Sequence, residues 1–330
     1  MPLPTFNFFT TADEVTTVLA DEIKGKTVLV TGSSLNGIGF ETARVIAKHA
    51  DLVIITGYNL GRLKLSEDAI KHNVPSANIR PLVLDLSSLS AVRKAAAEVD
   101  AYPEPLHVLI HNAAAPTGPL KFTVDGLENQ LATGHIGPFL LTKLLARKLL
   151  ASVSSSDGAV PRVVFVSSMA QARCKEIDFT RLGRPNPVTY TGFGAYSLTK
   201  AANVLTARAL CSRSKGRINA YSLHPGGVFT NINQKEESLA DLKSVGILLP
   251  NGQPNMDIVP WKTIPQGAAT TVVAAFDPRL NDVPGAYLHD CIPANEKVSP
   301  YCADPVNAEK LWTATEDVIG EKFTFRESFL

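Results

Sequence analysis

The chain has 330 residues, of which 45% are apolar and 19% charged, and its formal net charge is +1. That length accommodates one large domain or two small ones, and the composition is that of a globular protein rather than a disordered one. With no long basic run, it offers no broad positive face for nucleic acid.

The four cysteines, Cys174, Cys211, Cys291 and Cys302, contain no Cys-x-x-Cys pair. Free thiols in a reducing compartment are therefore expected, with no metal site. Residues 1–20 lack a basic start and a long apolar core, and carry Asp13 and Glu14, unlike a secretory signal. The most apolar helical stretch, 139–150, is interrupted by Lys143, Arg147 and Lys148. No membrane span is expected, and the reading is of a cytoplasmic protein.

In chain order, residues 1–25 read as an N-terminal arm with a short helix over 11–22, capped by Thr11 or Asp13. The β-branched run 26–31 reads as a buried strand. It ends in Gly32-Ser33-Ser34-Leu35-Asn36-Gly37-Ile38-Gly39, and a helix follows to about residue 49. A strand, a glycine-rich turn and a helix N-terminus together make a phosphate cradle. The glycines let the backbone approach, and the helix dipole favours negative charge. Further strands are expected at 52–56, 79–84, 106–110, 162–166 and 217–223. Helices are expected at 60–72, after Ser87 or Ser88 to about 99, and over 124–150 with a kink near Pro138. Residues 152–158 read as a polar loop. Residues 169–194 are long for a strand–helix connection and read as an insertion beside a site. Residues 231–263 hold Pro250, Pro254, Pro260 and Asn251-Gly252, and read as a helical stretch followed by an irregular substrate lid. A helix from Pro265 to about 276, a last strand over 285–290 and a helix from Asp304-Pro305 to near Gly320 complete the chain.

Strands alternating with helices predict a doubly wound parallel sheet, a Rossmann-like α/β fold. With no repeat or linker, residues 1–330 are expected to form a single domain with a C-terminal lid region. Gly32, Asp85, Asn112, Ser168 and His224-Pro225-Gly226 all fall at the carboxyl ends of predicted strands, where ligands bind in such sheets. Tyr196 and Lys200 lie four apart in a predicted helix, on one face. Of the seven tyrosines, only Tyr196 has a lysine four residues on. An ammonium beside a phenol favours the phenolate, so the pair can move a proton to or from an alcohol or carbonyl oxygen.

This ordered set resembles the short-chain dehydrogenase/reductase family over roughly residues 26–231. The motifs are Thr31-Gly32 with Gly37-Ile38-Gly39, Asp85, Asn112-Ala113-Ala114, Ser168, Tyr196 with Lys200, and Pro225-Gly226 with Thr230. The insertion before Tyr196 and the run 201–205 look like the retinol-dehydrogenase-like branch. The N-terminal arm is similar to fungal members, some of which serve secondary metabolism. The resemblance implies Tyr196 as general acid or base and Lys200 as the residue that lowers its pKa and holds the nicotinamide ribose. It implies Ser168 at the substrate oxygen. Gly32, Ser34, Gly37, Ile38 and Gly39 would line the pyrophosphate, Asp85 the adenine, Asn112 and Ala113 the adenosine side, and Thr230 the nicotinamide. Relatives often pair through the two helices flanking the site, which allows a homodimer. The partner is a small carbonyl or alcohol substrate.

Three departures stand out. Four residues, Ser33 to Asn36, separate Gly32 from Gly37 where three are common, which predicts a wider loop. Gly134 stands where many members carry an asparagine whose backbone holds a relay water; a mid-helix glycine costs about 1 kcal/mol against alanine. Tyr58 stands where relatives that prefer the phosphorylated cofactor often have arginine. Thr56-Gly57-Tyr58-Asn59 contains no acid to repel a 2′-phosphate, and Arg62 follows one turn on. This favours NADP(H) over NAD(H). The main reading is an NAD(P)-dependent oxidoreductase; the alternative, which Gly134 favours, is a cofactor-binding protein without turnover. His135 is expected to be packed rather than catalytic, and His289-Asp290-Cys291 to be structural. Tyr190 and Phe193 either line the substrate pocket or anchor the insertion.

Overall fold

The computed structural model describes residues 3–155 and 159–325. Six strands run parallel: β1 (Thr27–Val30), β2 (Leu52–Gly57), β3 (Ile79–Val83), β4 (Val108–His111), β5 (Arg162–Val166) and β6 (Asn219–His224). β7 (Gly227–Val228) and β8 (Trp261–Lys262) pair with each other outside this sheet. β9 (Tyr287–His289) joins β6 in parallel, and β10 (Ile292–Pro293) turns back antiparallel on β9. The order in space is β3-β2-β1-β4-β5-β6-β9-β10. The chain builds outward from β1 in one direction, then returns to β4 and builds in the other. The crevice between β1 and β4 is thus the switch point at which ligands bind such sheets.

The apolar runs are continuous because both faces of the sheet are covered. In β1, Val28 and Val30 face one core and Leu29 the other, all fully buried. The first core carries the Ala12–Val18, Ile38–Ile46, Leu60–Asn73 and Ile264–Phe276 helices. The second carries Leu89–Asp100, Gly137–Ala151, Gly192–Ser214 and Pro305–Ile319. Among the described residues, no helix is long and apolar enough to cross a membrane.

Several local signals read from sequence match the structure. Thr11 closes a capping box with Glu14, Ser88 caps the Leu89–Asp100 helix, and Asp304 caps the Pro305–Ile319 helix. That last helix stops at Gly320, which takes a left-handed φ of 72°. Residues 231–263 hold the Glu236–Ser244 helix and then irregular chain. The polar loop expected at 152–158 begins as a 3-10 turn over Ser152–Ser155, and residues 156–158 lie outside the described residues.

The long helix expected over 124–150 is corrected at both its start and its kink. Residues 123–127 form a turn, closed by Thr123 N–H donating to Leu127 O at 2.8 Å, with Gly126 at φ 68°. The helix starts at Asn129, under a cap in which Glu128 accepts from Gln130 and Leu131 N–H. Its irregularity is a π-turn over Ala132–Ile136, not a break at Pro138. Pro138 sits in the first turn of the following α-helix, where its missing N–H costs nothing. Gly134 lies inside the π-turn and is pressed against the Gly192–Ser214 helix: a β-carbon there would stand 2.5 Å from Thr199 Cγ2. Thr199 cannot swing freely, because its hydroxyl donates to Ala195 O at 2.9 Å.

The outer faces of these two helices are covered by the C-terminal segment. Trp312 is fully buried, with Phe139 at 4.7 Å edge-on and Phe323 at 4.9 Å stacked. His135 is buried with Nε2 2.8 Å from the Thr315 hydroxyl and Nδ1 3.3 Å from that of Thr206. Burial pushes this imidazole down to about 3, so it packs as a neutral group. This outer face is covered by residues 305–325 of the same chain.

The contact at Gly134 predicts an inverted glycine effect. Helix propensity alone makes Gly134→Ala stabilising by about 1 kcal/mol. Overpacking against Thr199 costs about 1–3 kcal/mol and should win. Urea unfolding should show Gly134→Ala less stable than wild type, with Gly134→Ala/Thr199→Ala regaining most of the loss. A single variant more stable than wild type would refute the contact.

Candidate active site

The turn after β1 has the geometry of an anion cradle. Gly32 takes φ 71°, and a β-carbon there would lie 2.8 Å from Ala113 Cα. A β-carbon on Gly39 would lie 2.2 Å from Asn112 Nδ2 and 2.5 Å from Gly32 O. Only glycine fits these two positions. Gly37 caps the Ile38–Ile46 helix without a side chain, so no protein cap takes the amides of its first turn. The extra residue is absorbed by Asn36, which adopts φ 57°. Ser33 turns inward, donating to Val30 O at 3.0 Å, and Ser34 stays exposed. Asn231 Nδ2 donates to Leu35 O at 2.6 Å and ties the loop tip to the far side of the crevice.

β1 and β4 are locked together at their ends. The Thr31 hydroxyl accepts from Asn112 and Ala113 N–H at 3.0 and 3.1 Å, and Asn112 Nδ2 donates to Thr31 O and Gly32 O. Asn112 therefore shapes the cradle from behind. At the end of β2, Tyr58 is 61% exposed and its hydroxyl accepts from Arg62 Nη1 at 3.2 Å. Asn59 caps the helix that carries Arg62. Asp85, after β3, accepts from Ser87 N–H and hydroxyl at 2.9 and 2.6 Å.

Ser168, Tyr196 and Lys200 are brought together at the end of β5. The Ser168 hydroxyl stands beside the Tyr196 phenol, where it favours the ionised form, and it accepts from Ala170 N–H at 3.2 Å. It is thus both a strand-end cap and a neighbour of the phenol. Lys200 is buried, with Nζ donating to Val166 O at 2.8 Å and lying 5.4 Å from the Tyr196 ring centre. Its backbone carbonyl accepts from the Ser167 hydroxyl at 2.7 Å. Burial pushes the ammonium down to about 8. Burial also raises the Tyr196 phenol above its ordinary value, and the Ser168 hydroxyl opposes that rise.

Thr230 is buried after β7, and its N–H and hydroxyl lie 2.9 and 3.2 Å from Asn233 Oδ1. A cavity of about 960 Å³ opens between residues 118–119, 173–176, the start of the Gly192–Ser214 helix and the Glu236–Ser244 helix. Tyr190 and Phe193 both line it. Phe193 lies 5.8 Å from the Tyr196 ring, while Tyr190 is also anchored, donating to Glu128 Oε1 at 3.2 Å. Tyr190 thus lines this cavity and is also tied to Glu128. Lys121 pairs with Glu237 and the Ser238 hydroxyl donates to Thr117 O at 3.3 Å, fastening the Glu236–Ser244 helix at one rim. Gln130 went unread in the sequence, although its Nε2 donates to Gly192 O at 2.9 Å beneath that rim. Its only sequence signal was a buried polar residue beginning a helix.

The sequence profile of the short chain dehydrogenase family matches residues 26–177. The chain is 36% identical over 311 residues to short-chain dehydrogenase TIC 32 A, chloroplastic, of Brassica napus, covering 92% of this chain and 90% of that one. It is 32% identical to retinol dehydrogenase 12 of Homo sapiens, covering 91% of this chain and 88% of that one. A solved structure of a protein from Mycobacterium paratuberculosis is similar with a TM-score of 0.66 at 25% identity, covering 93% of this chain and 98% of that one. Both curated relatives cover more than nine-tenths of this chain, and the chain belongs to the short-chain dehydrogenase/reductase family, in its retinol-dehydrogenase-like branch, as an oxidoreductase of CH–OH and carbonyl groups.

Proposed function

We propose that the protein interconverts a ketone or aldehyde and the corresponding alcohol, using NADP(H) in preference to NAD(H). The observation that carries this reading is the gathering of three groups at the end of β5: the Ser168 hydroxyl beside the Tyr196 phenol, and the buried Lys200 ammonium 5.4 Å from the Tyr196 ring centre. The glycine cradle fits a dinucleotide, since Gly32 and Gly39 leave no room for a side chain between β1, β4 and the approaching backbone. Gly32, Ser34, Gly37, Ile38 and Gly39 take the pyrophosphate on the Ile38–Ile46 helix N-terminus. Asp85 lies at the adenine, Asn112 and Ala113 at the adenosine side, and Thr230 at the nicotinamide. When bound, the reduced nicotinamide supplies the hydride. Ser168 holds the substrate oxygen, Tyr196 donates its proton as that oxygen gains charge, and Lys200 holds the ribose. The cavity beside Phe193 takes the rest of the substrate, with residues 231–263 as its lid. The four free thiols accord with a cytoplasmic setting, and a place in secondary metabolism is proposed only on the resemblance of the arm to fungal members. The alternative without turnover drew on Gly134, and the Thr199 contact gives that glycine a packing reason.

Tyr196→Phe should keep cofactor binding by calorimetry and lose about 100- to 10,000-fold in turnover; turnover near wild type would reject the mechanism. The alkaline limb should belong to Lys200, not Tyr196. The phenol is raised and stays protonated, whereas the ammonium near 8 loses its charge first. So kcat/KM for the cofactor, which reports the free enzyme, should fall as pH rises through about 8, and Lys200→Arg should remove that limb. Arg62→Ala should weaken NADPH about tenfold, as loss of one charged hydrogen bond does, and leave NADH unchanged. Equal effects on both cofactors would remove the basis for the NADP preference.

A further inference from the structure

A closed ring of buried polar contacts lies behind the site and takes no part in the chemistry above. It begins at Met169, the residue after Ser168, whose N–H donates to His224 Nδ1 at 3.3 Å. The His224 ring lies 5.1 Å from that of His289, its neighbour across the β6–β9 pairing. His289 Nε2 is 3.3 Å from Asp290 Oδ2, and Asp290 Oδ1 is 2.6 Å from Lys262 Nζ. The Lys262 side chain is 1% exposed. Its stem lies under Gly226, where a β-carbon would stand 2.6 Å from Lys262 Cδ. Gly226 is two residues from His224, so the ring closes. It joins the ends of β5, β6 and β9, and β8 holds Lys262 against Val228 in β7.

Two features hold the arrangement in place. Asp290 and Cys291 form the two-residue turn of the β9–β10 hairpin, and both adopt the left-handed backbone that such a turn uses, at φ 50° and 69°. Here the left-handed pair turns the chain so that one carboxylate reaches both Lys262 and His289. In addition, a buried ammonium is tolerated only with a partner, and Lys262 has one carboxylate and the face of Phe8, with Nζ 4.5 Å from that ring. The charged or titratable groups that act on His224 are His289, Lys262, Lys200 and Lys297. Burial first, and then these neighbours, all cationic when charged, push the imidazole down, so His224 serves as a neutral acceptor for Met169.

We propose that the buried Lys262 and the half-buried Asp290 form a positioning pair that sets the 224–230 turn and, through His289 and His224, the backbone carrying Ser168. The inference rests on the cofactor and substrate roles assigned above. Neither residue touches the reacting atoms. Their effect falls on the nicotinamide end of the crevice, which Thr230 borders, and leaves the adenosine end, built from β1, β2 and β3, untouched.

The test compares binding of NADPH with binding of adenosine 2′,5′-bisphosphate, a fragment that reaches the adenosine end alone, in Lys262→Met and Asp290→Asn. Calorimetry should show NADPH weakened at least tenfold against an unchanged fragment, and kcat should fall at least tenfold. If either single variant does not fold, Lys262→Met/Asp290→Asn, which leaves no charge buried alone, gives the same comparison. Unchanged affinity for both ligands, or parallel loss of both with a lowered Tm, overturns the positioning role. Failure of the wild-type protein to bind NADPH or NADH would instead overturn the assigned function, so the two failures are distinguishable.

Discussion

Lys200 is held twice by the end of β5. Val166 O takes its ammonium and the Ser167 hydroxyl takes its carbonyl. The next residue, Ser168, then meets Tyr196 one turn earlier on the same helix. Consecutive residues of one strand end thus touch one helix at consecutive points, and the site is a matter of register. A slip of one residue turns every side chain of a strand to the opposite face. It would carry Ser168 away from the phenol and leave the ammonium without its carbonyl. Gly134 serves the same register from the other side, by letting the neighbouring helix close on Thr199.

Within that frame, burial sets the charges. It depresses the ammonium and raises the phenol, so both groups move toward their neutral forms. The Ser168 hydroxyl is the group that works against this for Tyr196. The Lys200 ammonium donates to a carbonyl and also stands 5.4 Å from the centre of the Tyr196 ring.

What was legible in the sequence was what depends on near neighbours. β-branched runs gave the strands, and Thr11, Ser88 and Asp304 announced helix starts because a cap acts within three residues. The glycines after β1 and the residues at strand ends located the crevice. Residues 124–128 misled, since an apolar pattern ran through what Gly126 and Glu128 make a turn and a cap. The π-turn was hidden because its cause, Thr199, lies far along the chain. The same holds for Lys262 with Asp290 and for Asn231 with Leu35. Periodicity reports which face is buried, not which residue it meets.

The C-terminal helix has a consequence for how the site comes into being. Trp312 and Phe323 wall the helices that carry Gly134 and Tyr196, and Thr315 receives His135. These residues are made after the sheet, the cradle and both long helices. A chain emerging from the ribosome presents those elements before it has the segment that covers them. Their apolar faces stay open to water, and to chaperones or other chains, until residues 305–325 follow. The wall behind the site therefore closes only once that segment is made.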